Sequence, residues 1–159
     1  MNNESIVQMA VSMTEMDGGI SSVPGAFSVL RMFNQPKQIR EISAMVLRQI
    51  NSVLEDPTNS KHWKVSAHSD AYIAVCKNKR GASDLLVVSG WLRENKDGSL
   101  VDDDSTVYVL PVPGSAAASQ DTMSALRLRK EEIEAELSIL EGAKNLSAVF
   151  NKAASTVST

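Results

Sequence analysis

The spacing of apolar residues changes period twice along this chain, and that change constrains the fold more than any single motif. Between residues 37 and 55, Ile39, Ile42, Val46, Ile50, Val53 and Leu54 recur at helical spacing, with Lys37, Arg40, Glu41, Arg48 and Asn51 elsewhere on the wheel. From 62 to 112 the pattern reads as alternation. Trp63, Val65 and Ala67 fall on one side of an extended segment, and His62, Lys64, Ser66 and His68 on the other. Helical spacing returns after residue 121 with Leu126, Ile133, Leu137 and Leu140. The expected architecture is therefore α+β: N-terminal helices, a four-stranded antiparallel sheet and a long C-terminal helix.

Turn and cap residues set the boundaries. A short amphipathic helix is expected over 4–16 from Ile6, Met9, Ala10, Met13 and Met16, closed by Asp17-Gly18-Gly19. Residues 26–33 (AFSVLRMF) read as a helical turn or a strand, and Pro36 precedes the helix over 37–55, which Pro57-Thr58-Asn59-Ser60 ends. The four strands are expected at 62–68, 71–78, 84–93 and 105–112, with Asn95-Lys96-Asp97-Gly98 as a hairpin turn. Residues 113–120 (PGSAAASQ) read as a linker, 121–152 as a helix that Asp121 caps and Gly142 kinks or interrupts, and 153–159 as a flexible tail. Residues 1–112 would form one α+β domain. No internal repeat is evident.

Every Trp and Tyr lies between Trp63 and Tyr108, although aromatic residues make up only 4% of the chain. The stretch from Lys61 to Lys96 holds seven basic and three acidic residues, a net +4 inside a chain of net −3. Sorting the expected strands into two faces collects Lys64, Tyr72, Trp91, Arg93 and Tyr108 on one side, flanked by Lys77, Lys79 and Arg80. Rings stack on bases without regard to sequence, and Lys and Arg displace counterions from phosphates. The expected function is thus a non-enzymatic, largely sequence-independent single-stranded nucleic-acid-binding protein, DNA before RNA, with Tyr72, Trp91 and Tyr108 stacking bases. Lys64, Lys77, Lys79, Arg80 and Arg93 would hold phosphates. Against this stands an aromatic structural core, which strand propensity alone would produce. The alternative function is a structural or assembly protein, such as a virion or scaffold component, using its helices for protein–protein contacts.

Leu126, Ile133 and Leu140 recur every seven residues, with Leu137 between the last two, so this stripe is the expected oligomerisation surface of a homo-oligomer, the alternative being a helix that covers the core face of its own sheet. Other constellations carry less. His62, His68 and Cys76 match no zinc spacing, and Asp97, Asp102, Asp103 and Asp104 lack the spacing of a calcium loop. Gly18-Gly19 is not a phosphate-binding loop, and no carboxylate pair or Ser/His/Asp set stands out. No cofactor, metal, small-molecule substrate or membrane partner is expected. The lone Cys76 and the absence of a long apolar run at the N-terminus point to a cytoplasmic chain.

Overall fold

The computed structural model describes residues 20–95, 106–112 and 119–157, with side chains in the last segment as far as Gly142. The elements are α1 (Val23–Phe33), α2 (Pro36–Glu55), one 3-10 turn (Ser60–Trp63), β1 (Lys64–Ser66), α3 (Asp70–Val75), α4 (Ala82–Ser89), β2 (Leu92–Glu94), β3 (Val107–Val109) and α5 (Gln120–Val157). The expected helix over 4–16, residues 96–98 of the expected turn with the aspartate loop, and most of the linker lie outside the described residues.

The ambiguous 26–33 run is helical. Ser22 starts α1, its Oγ accepting the Gly25 N–H at 3.1 Å, and Pro24 sits in the first turn, where a missing N–H costs nothing. Val23, Ala26, Phe27 and Leu30 form its buried face at helical spacing. Asn34 ends it, its backbone N–H and its Nδ2 both donating to Leu30 O. In α2 the Gln35 N–H donates to Gln38 Oε1 at 2.9 Å, holding the first turn after Pro36. Ile39, Ile42, Val46, Ile50 and Val53 are buried as the sequence pattern requires. Each such side chain contributes about 1.5–3 kcal/mol on leaving water. Ser43, buried among them, is satisfied by donating to Ile39 O at 2.7 Å.

The sheet corrects the expectation of four strands. Among the described residues it has three, in the order β1-β3-β2, all antiparallel and three residues long. The segments read as the second and third strands, 71–78 and 84–93, are mostly the helices α3 and α4. Ser69 caps α3, its Oγ accepting the Tyr72 N–H at 3.3 Å, and Tyr72 and Cys76 then face inward four residues apart. Gly81, at φ 93, turns the chain into α4, and Ala82, Leu85, Leu86 and Ser89 form its buried side. At the end of α4, Gly90 takes φ 128, and the Trp91 N–H donates back to Leu86 O at 3.1 Å. Three- and four-residue spacing thus competed with alternation in both segments, and local caps decided for helix.

α5 runs 38 residues without a break, through Gly142 and past residue 152, about 57 Å at 1.5 Å per residue. It packs chiefly on α2, and also on α1 and α4. Met123, Leu126 and Ile133 are buried, and Leu137 and Leu140 are half-buried against the same core. The ion pairs Arg31–Glu136 and Arg40–Glu141, the latter at 3.5 Å, tie the helix to α1 and α2. Leu126, Ile133, Leu137 and Leu140, read from sequence as an oligomerisation stripe, instead close the molecule's own core. Without them the inner faces of α1 and α2 would lie bare. No described helix is long and apolar enough to cross a membrane.

Candidate interaction surface

The three rings assigned to an open stacking face are in the interior. Tyr72 is 1% exposed, and Trp91 and Tyr108 are fully buried. Tyr72 and Tyr108 stack with centroids 5.8 Å apart at 27°, their hydroxyls 3.5 Å from one another. The register explains why. Val65 and Arg93 flank Tyr108 in the neighbouring strands, so Tyr108 shares the core face of Val65. Thr106 and Leu110 point the same way, and Val107 and Val109 face outward, the reverse of the expected sorting of this strand. The first strand was sorted correctly: Val65 and Ala67 are buried, Lys64 and His68 are exposed, and Trp63 packs half-buried on the core. In β2 the sorting again reverses, with Leu92 exposed and Arg93 half-buried.

The positive charges are less gathered than the face sorting implied. Lys64 stands exposed on β1, an edge strand, while Lys77 and Arg80 are exposed and Lys79 half-buried on the loop between α3 and α4. That loop is closely held. Asn78 adopts φ 61 and Gly81 φ 93, both in the left-handed region. A Cβ on Gly81 would come within 3.1 Å of the Leu30 backbone N, so the loop lies directly on α1. Asn34 Nδ2 donates to Arg80 O at 2.7 Å, joining the end of α1 to the loop a second time.

This anchoring creates a feature absent from the sequence reading. The Arg80 guanidinium carbon lies 4.6 Å from the centroid of the Phe33 ring, a cation–π arrangement at the surface. Phe33 is 50% exposed and its neighbour Met32 61%. A ring, an arginine and a methionine thus meet on one corner, with Lys77 and Lys79 on the same loop. Aromatic residues, Met and Arg are the types enriched where proteins contact one another. Its signal in the sequence was the end of the AFSVLRMF run: once 23–33 is helical, Met32 falls opposite the buried stripe and Phe33 on its flank.

The remaining candidates separate. Cys76 is buried, its thiol 3.5 Å from Met45 Sδ, while His68 is exposed with Nδ1 2.9 Å from Ser66 Oγ, and His62 faces Asp56 at 3.6 Å. Among the described residues no three His, Cys, Asp or Glu side chains are grouped to hold a metal ion. The Asp97 and Asp102–Asp104 loop lies outside the described residues. No protein-family model matches the chain, and no curated protein matches it either.

Proposed function

We propose that this chain is a non-enzymatic protein-interaction and assembly module, which binds an acidic, apolar-anchored segment of a partner protein at the Phe33–Arg80 corner. The observation that supports this most is the half-exposed Phe33 ring held under Arg80 by a pinned loop, in a molecule whose Trp91, Tyr72 and Tyr108 rings are spent on the core. An apolar partner side chain would extend the contact of Met32 and Phe33, while Lys77, Lys79 and Arg80 favour carboxylates nearby. The test is selection from a displayed random-peptide library. The wild-type chain should enrich peptides pairing a large apolar residue with Asp or Glu, and the double variant Phe33→Asp, Arg80→Glu should not. Equal enrichment by both would remove the corner from the function.

Single-stranded nucleic acid remains a second reading, favoured by the exposed Lys64, Lys77 and Arg80. With the rings in the interior it would act by charge alone, so binding should fall steeply with salt and show no tryptophan response. Triple replacement of Lys77, Lys79 and Arg80 by Ala should then flatten the salt dependence. An unchanged slope of log K against log salt would end that reading.

A further inference from the structure

The outer face of α1 is apolar and small, and it carries no charge. Pro24, Gly25, Ser28, Val29 and Met32 lie there exposed or half-exposed, opposite the buried Val23, Ala26, Phe27 and Leu30, with Phe33 on the flank. Arg31, the single charge in the helix, turns aside to Glu136 of α5. Helices apolar on every side are buried on every side. At the far end of this face Lys77, Lys79 and Arg80 carry positive charges that form no ion pair among the described residues.

We propose that this chain's own residues 4–16 cover the face as a helix antiparallel to α1, with Ile6 and Glu4 on the Phe33–Arg80 corner. The point of attachment selects this occupant. A Cβ on Gly25 would lie 3.5 Å from Ile20 Cγ2, so the chain arrives beside the first turn of α1. Between that point and Met16 stand only Asp17, Gly18 and Gly19. From Met16 to Ile20 the chain spans at most about 14 Å. That is less than the length of α1, about 16 Å. A helix so closely joined lies antiparallel to its neighbour, and the two glycines permit the reversal.

Length and charge agree with that placement. A helix over 4–16 spans about 20 Å. Met16 beside Val23 therefore brings Met13 to Gly25 and Ser28, Met9 to Val29, and Ile6 to Met32 and Phe33. Flexible Met side chains pack closely where Gly25 and Ser28 leave room. Glu4 then falls just beyond Phe33, beside Lys77, Lys79 and Arg80. Residues 1–30 hold Glu4, Glu15 and Asp17 and no Lys or Arg, so the segment complements this basic corner. The docking stands by itself. Its consequence, that a partner segment must displace Glu4 and Ile6, rests on the corner's being the partner site.

Disulfide trapping in the full chain reads the docking. Ile6→Cys with Met32→Cys should close an intrachain bridge under mild oxidation. Met16→Cys with Met32→Cys should close about tenfold more slowly, because Met16 lies about 15 Å along the helix from Ile6. Cys76 is buried and stays out of the exchange. Occlusion of the corner is read with a synthetic peptide of residues 1–17 added to the full chain. Ile6→Asp should bind it about tenfold more tightly than the wild type, since the tethered copy no longer competes. That gain should vanish when Phe33→Asp and Arg80→Glu are added. Equal trapping rates in the two Cys pairs would overturn the docking, and equal affinity of the wild type and Ile6→Asp would overturn the occlusion. Selective trapping in a chain that enriches no library peptide would instead retire the partner reading and leave the docking in place.

Discussion

The segment from Trp63 to Tyr108 and the helix α5 carry the same kind of signal, apolar side chains at regular spacing, and the fold uses the two in opposite ways. In the first, short elements turn every fully buried ring inward. Tyr72 comes from α3, Trp91 from the turn before β2 and Tyr108 from β3, and all three meet in one core. In α5 one helix carries two apolar stripes, and the core takes only one. Leu126 and Ile133 are buried while Leu128 and Ile139 stand in the open. The difference teaches that residue type does not locate a binding surface. What locates it is the apolar area left over once the core is closed.

That contrast can be broken by substitution. The largest effect is expected inside the first region: Trp91→Ala should cost about 3–5 kcal/mol in a denaturant titration, because it empties a fully enclosed site. A cost below about 1 kcal/mol would place the ring outside the core. Within α5 the two stripes supply their own control. Ile133→Ala should cost about 2–5 kcal/mol, whereas Ile139→Ala should stay within about 0.5 kcal/mol. Similar losses at both positions would mean that the helix is not docked as described.

Smaller effects sharpen the comparison at the surface. Gly81→Ala should cost about 1–2 kcal/mol, because φ 93 is disfavoured for alanine and the new methyl group meets Leu30 at 3.1 Å. It should also disturb the Arg80 position and reduce peptide enrichment. Phe33→Ala should change stability by no more than about 1 kcal/mol, the size of an exposed cation–π contact, and yet abolish the enrichment. A large stability loss with intact enrichment would make Phe33 a structural residue.

The sequence made the outer frame legible and misread the middle. The α2 stripe from Ile39 to Val53 and the long C-terminal helix follow from strict periodicity, which long elements display over many turns. The short elements did not follow. AYIAV and DLLVVS are rich in strand-forming residues, and six to eight residues are too few to separate alternation from helical spacing. The Ser69 cap and Gly81 decided the matter locally, and packing of Tyr72, Leu85 and Leu86 against the rest completed it. Face assignment then failed where it depended on those strands, and succeeded in the Trp63–Ala67 segment, where true alternation exists. The Phe33–Arg80 contact joins residues 47 positions apart, so no local pattern could announce it. The outer stripe of α5 was present in the sequence all along. It became visible only when Leu126 and Ile133 were found to be occupied.

The claim that the rings build the core and leave binding to other surfaces is tested most directly by the fluorescence of Trp91 alone. The Trp63→Phe variant keeps the fold's half-buried aromatic contact and removes the second indole. Its emission should be blue-shifted, acrylamide should quench it weakly, and single-stranded oligonucleotide at low salt should leave it unchanged. An indole readily quenched by acrylamide, and quenched further on adding oligonucleotide, would contradict the account and return the stacking face to the front.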